Sequence, residues 1–148
     1  MSSLNDAKGE IQRADHLLYV TLKYTRTVEV IKSVISRLAN AYDNAVIYAL
    51  EKIKDKKKIK EIPSTPVSRA ELLHDLYKRD IAILDSLNLY FLLRKIIRAE
   101  YTKREEFRKN VTLTVMHKDE VVEVNIKVLG EYYEKTKGFI DYIAEKFK

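Results

Sequence analysis

Apolar residues recur at three- and four-residue steps along most of the chain, and these steps predict four long helices. Ile11, Ala14, Leu18 and Leu22, joined by Leu17, mark a first helix over about 3–24, since that spacing lines up one face of a 3.6-residue helix. Ser3 with Asp6 has the spacing of an N-terminal cap followed by an acidic third residue. Tyr24 to Thr27 interrupts the pattern, with Thr27 placed to cap the next helix. That second helix covers about 28–54, where Ile31, Val34, Ile35, Leu38, Ala41, Tyr42, Ala45, Tyr48, Ala49 and Ile53 trace an unbroken stripe. The alanines at 41, 45 and 49 leave room for a neighbouring helix to approach closely.

A third helix is expected over about 68–107, opening on Ser68-Arg69-Ala70-Glu71. Those residues spell a capping box, in which serine and glutamate each satisfy an amide of the first turn. Within it, Ile81 to Ile97 is apolar around most of its circumference, the mark of a helix surrounded by others. The rest of the chain is expected to fold around this run. It is shorter than the roughly 20 apolar residues of a membrane span, and it carries Asp85 and Asn88. A break near Asp80 or Ala99 is compatible with the pattern.

From Val111 the period changes to two. Val111, Leu113 and Val115 alternate with threonines, and Val122, Val124 and Ile126 alternate with Glu123 and Asn125, giving a β-hairpin over about 111–126 that turns at Lys118-Asp119. A last helix over about 127–147 carries Leu129, Tyr132, Tyr133, Thr136, Phe139, Ile140, Ile143 and Phe147. The expectation is a mainly α, four-helix bundle-like single domain covering 1–148, with one β-hairpin between the third and fourth helices.

Composition narrows the function classes. The chain of 148 residues has no cysteine, which excludes disulfides, thiolate metal sites and cysteine nucleophiles, and its three histidines leave little for a protein-only metal cluster. No glycine-rich phosphate loop, zinc-protease signature or hydrolase elbow occurs, so no metal and no cofactor are expected. The N-terminus lacks the apolar core of a signal peptide, making the cytoplasm the expected compartment. The net charge is +6 and the isoelectric point about 9.3, a balance that favours an anionic partner and nucleic acid over a membrane.

Two stretches concentrate that charge. Lys52 to Glu61 is lysine-rich, and Lys56, Lys57 and Lys58 are candidate phosphate contacts. Arg94 to Lys109 mixes basic and aromatic residues, and on one continuous helix Arg94, Arg98 and Tyr101 share a face that Arg104 and Arg108 nearly extend. Guanidinium groups and rings together grip phosphates and stack on bases. His16 and His117 are not singled out by their neighbours, and His117 is expected in solvent at the hairpin tip.

Arg69, four residues, then His74 resembles the arginine–histidine motif of the HEPN-domain proteins, as does the pair of long N-terminal helices with Ala14-Asp15-His16-Leu17-Leu18-Tyr19. That resemblance implies a compact, usually dimeric helical bundle and, in many members, metal-independent cleavage of RNA, with Arg69 and His74 as the catalytic pair. Three readings therefore stand: a small, basic, non-catalytic RNA- or nucleic-acid-binding protein, a HEPN-like ribonuclease, and a helical dimerisation or interaction module without nucleic acid.

Overall fold

The computed structural model describes residues 3–148. Helix α1 (Ser3–His16) runs without a break through a π turn (Leu17–Thr21) into a last short turn, α2 (Leu22–Tyr24). The Leu22 amide reaches back to the Leu17 carbonyl, the five-residue bond of a π turn. The expected cap at Ser3 is not made. Its hydroxyl donates instead to Glu51, 3.0 Å away.

Helix α3 (Val28–Asp55) follows the predicted stripe and is the spine of the molecule. Thr27 caps it as expected, accepting from the Val30 amide. Ile31, Val34, Ile35, Leu38, Tyr42, Ala45 and Ala49 are fully buried, and α1, α4, α5, α6 and the sheet all pack against this helix.

The expected third helix is three elements. Helix α4 (Pro66–Leu76) begins before the predicted box: Thr65 is the cap, accepting from the Ser68 amide, and Pro66 occupies the first turn. Proline suits that position because its missing N–H has no partner there anyway. The chain then breaks, and Asp80 caps helix α5 (Ile81–Arg98) by accepting from the Ile83 amide. α5 is not the centre of the fold. It buries Ile83, Leu87, Tyr90, Leu93 and Ile96 but leaves Ile81 79% exposed.

Beyond Arg98 the backbone turns extended at Ala99 and enters strand β1 (Tyr101–Arg104), where a helix was expected. Strands β2 (Thr112–His117) and β3 (Glu120–Val124) form the predicted hairpin, with Lys118 and Asp119 at positive φ in its two-residue turn. The hairpin is not alone: β1 pairs antiparallel with β2, Thr102 opposite Thr114, giving a three-stranded sheet in the order β1-β2-β3. An isolated hairpin is marginal in water, and here the third strand and burial of Leu113, Val115 and Val124 complete it. Helix α6 (Ile126–Lys146) closes the chain, capped by Asn125.

Two ties between distant segments hold this arrangement. Glu106, in the loop after β1, accepts from the Val28 amide at 2.8 Å, and the Phe107 amide donates to the Arg26 carbonyl at 2.7 Å. Asp80 accepts from Tyr142 (2.6 Å) and pairs with Lys146 (3.1 Å), fastening the start of α5 to the end of α6. Partial burial opposes charge on the Asp80 carboxyl, but the bonds from Tyr142, Lys146 and the Ile83 amide outweigh it and hold the group below its usual 3.8. A depressed carboxylate stabilises the fold above its unfolded pKa, and that stabilisation is lost as pH falls through the folded value. Asp80→Asn keeps the cap and removes the charge, so it is expected to cost about 1 kcal/mol at pH 7, discounted for the partly exposed lysine. Thermal melts at pH 7 and below the Asp80 pKa check this; an equal loss at both would refute it.

No helix among the described residues is long and apolar enough to cross a membrane.

Candidate functional site

Helices α4 and α5 leave a cleft of about 510 Å³ between them. From α4 come Val67, Glu71, His74 and Asp75, which fall on one stripe at helical spacing; from α5 come Phe91, Arg94, Lys95 and Arg98, another such stripe. A second cleft of about 610 Å³ opens where α5 hands over to the sheet. Lys95, Arg98, Ala99 and Glu100 form one side; Tyr101, Thr102, Thr114, Met116 and His117 form the other. Lys95 and Arg98 belong to both clefts. They are the shared wall of one trough.

The local sequence explains the geometry. The Thr65 cap and Pro66 fix where α4 starts, and Arg69 ties down the preceding loop by donating to the Pro63 carbonyl (2.8 Å) and the Ser64 carbonyl (3.0 Å). The Asp80 cap fixes the start of α5, and the extended Ala99 swings β1 away so that the second cleft can open.

Arg94 is anchored from behind. Asp43 on α3, with its side chain only 17% exposed, lies 3.8 Å from the Arg94 guanidinium and accepts a hydrogen bond from the Tyr90 hydroxyl. Burial pushes the Asp43 carboxyl up, against the pull of Tyr90, Arg94 and Arg69. Burial, and then Asp43, raise the Tyr90 hydroxyl in turn. The Arg94 Nε is buried without a partner. Lys95 and Arg98 differ: both are exposed, and neither makes an ion pair with any described residue. The trough is not uniformly cationic, because Glu71, Asp75 and Glu100 also line it. His74 lies 3.9 Å from Asp75, with its ring 6.2 Å from that of Phe91.

Of the predicted site residues, the structure brings together Arg94, Arg98 and His74 in the first cleft, and Arg98 and Tyr101 in the second. The expected single helical face does not form, because α5 ends at Arg98 and Tyr101 and Arg104 lie on β1. Tyr101 donates its hydroxyl to Glu29 (2.6 Å), and the Lys32 ammonium sits 4.1 Å from its ring centre. Arg104 pairs with Glu123 (3.1 Å), and Arg108, in the loop after β1, pairs with Glu105 (3.6 Å). Arg69 is not among the residues lining either cleft; it donates to the two loop carbonyls and also acts on the Asp43 carboxyl behind Arg94. Lys56, Lys57 and Lys58 lie in the exposed turn that ends α3, with Lys57 at φ 60°, and line neither cleft.

Two functional candidates escaped the sequence pattern. Lys95 sits three residues before Arg98 and lines both clefts. His117 is not at a solvated tip: it ends β2, and its Nε2 is buried without a partner. The signal was present, since Leu113, Val115 and His117 alternate onto the face that turns inward.

Among the described residues no group of three or more metal-ligating side chains is gathered at one point. No protein-family model matches the chain, and no curated protein or solved structure matches it.

Proposed function

We propose that the protein binds RNA without cleaving it, and that the trough along the second half of α5 is the binding surface. The observation that carries this reading is the pair Lys95 and Arg98, unpaired and side by side in the wall common to two clefts. Free cations in a concave surface attract phosphates, because no internal carboxylate has to be displaced first. The net charge of +6 supports the same class of partner. The carboxylates of the trough limit the electrostatic part: they suit donors such as base amino groups and ribose hydroxyls, not phosphates.

Binding is therefore expected to be only moderately salt-dependent. Neutralising two phosphates of a single strand predicts a loss of about sevenfold in affinity between 50 and 200 mM salt. Fluorescence anisotropy with an end-labelled RNA in EDTA, with the RNA run on a denaturing gel afterwards, tests both halves of the proposal. Absence of binding would remove the reading. Cleavage in EDTA that disappears in His74→Ala would replace it with a ribonuclease.

A further inference from the structure

The two clefts that share Lys95 and Arg98 carry the same kinds of side chain, divided between them. Phe91 and His74 line the first cleft, while Tyr101 and His117 line the second. Each half also has its own carboxylate acceptor, Glu71 in the first and Glu100 in the second. Each therefore holds two elements that recognise a nucleotide, a ring and an acceptor for amino or hydroxyl protons, beside the cations common to both.

Size and connection point the same way. Clefts of about 510 and 610 Å³ lie in the range of small-ligand sites. A duplex is met across its wide, shallow minor groove and would not enter either one. The cations common to both, Lys95 and Arg98, stand one helical turn apart, roughly 5–6 Å between Cβ atoms, where a backbone passing from one cleft to the next would cross.

Resting on the RNA reading above, we infer that the two clefts are adjacent nucleotide subsites of one single-stranded RNA, whose backbone crosses between them over Lys95 and Arg98. Asp43 and Tyr90 are positioning residues in this arrangement, holding the Arg94 guanidinium against the wall of the first subsite.

The test is the length dependence of binding to the full, unmodified chain. Calorimetry or competition anisotropy would compare a ribonucleoside 5′-monophosphate, a trinucleotide, a hexanucleotide and a blunt RNA duplex of 12 base pairs. Affinity is expected to rise about thirtyfold from the mononucleotide to the trinucleotide, as the second subsite is filled by a tethered nucleotide with its own stacking contact. It should then change little to the hexanucleotide, and the duplex should bind at least about tenfold more weakly than the hexanucleotide. Arg94→Gln and His117→Ala should each weaken trinucleotide binding about tenfold, while only one of them affects the mononucleotide. Binding of mononucleotide and trinucleotide with equal affinity, or of duplex as tightly as single strand, would overturn the two-subsite inference and leave RNA binding standing. Binding of none of these RNAs would overturn both.

Discussion

Reversing Lys95 and Arg98 together, as K95E/R98E, is expected to weaken RNA binding about a hundredfold at low salt, and to flatten what salt dependence remains. Both side chains lack an ion pair, so reversal releases no internal partner and turns attraction directly into repulsion in the wall of both clefts. Arg104 and Arg108 form the control. Their guanidinium groups already face Glu123 and Glu105, so R104E/R108E is expected to cost less than about threefold in affinity. Titrating labelled RNA against the three proteins at one salt concentration separates the cases. Equal losses from the two double variants would mean that affinity follows net charge, with no role for the trough. Reversal also sets two acidic groups in the last turn of α5 against the helix dipole, so a fall of a few degrees in melting temperature is expected, and binding is compared well below that transition.

The largest effect on stability is expected at Leu38. This residue is fully buried on α3, the helix that every other layer touches. Leu38→Ala should cost about 2–5 kcal/mol through lost transfer energy and the cavity left behind. For a chain of this size that corresponds to a fall of roughly 5–15 °C in melting temperature. Ile81→Ala, at the start of the apolar run on α5, should change stability by less than about 0.5 kcal/mol, because that side chain is 79% exposed. Denaturant unfolding of both variants checks that the start of the apolar run on α5 lies outside the core to which Leu38 belongs. A larger loss at Ile81 would refute the account of the core given above.

That contrast shows where the sequence could be read and where it could not. The stripe on α3 was legible because burial on one side imposes a 3.6-residue period over twenty-eight residues, and no competing signal interrupts it. The hairpin was legible because its alternation is equally regular. The run from Ile81 to Ile97 misled for a physical reason: apolar content around a helix reports what could be buried, and the number of neighbours decides what is. Thr65-Pro66 was passed over for Ser68 as the start of α4 because both are good caps, and the proline at the first helical position is what separates them.

The trough was half legible. Arg94 and Arg98 were found by charge and spacing, and both lie in it. The extension to Tyr101, Arg104 and Arg108 assumed that the helix continued. Yet Tyr101-Thr102 favours strand, and the pairing of β1 with β2 joins residues too far apart in sequence for any local period to reveal. His117 was hidden by its nearness to a turn, which suggested solvent, although its parity along β2 pointed inward. Arg69 and His74 were legible as a spacing, while the bonds from the arginine to two loop carbonyls are a tertiary fact that no spacing shows.

The bond from the Val28 amide to Glu106 has a consequence for how the molecule comes apart. The first turn of a helix ordinarily frays on its own, and its exposed amides exchange with solvent as a local event. Here the acceptor lies 78 residues further along the chain. The start of α3 and the loop that follows β1 are therefore tied to each other, a contact closed only after a long stretch of chain has been brought back on itself. Hydrogen exchange at Val28 is then expected to report the opening of its contact with the loop after β1 as well as the fraying of the helix to which it belongs.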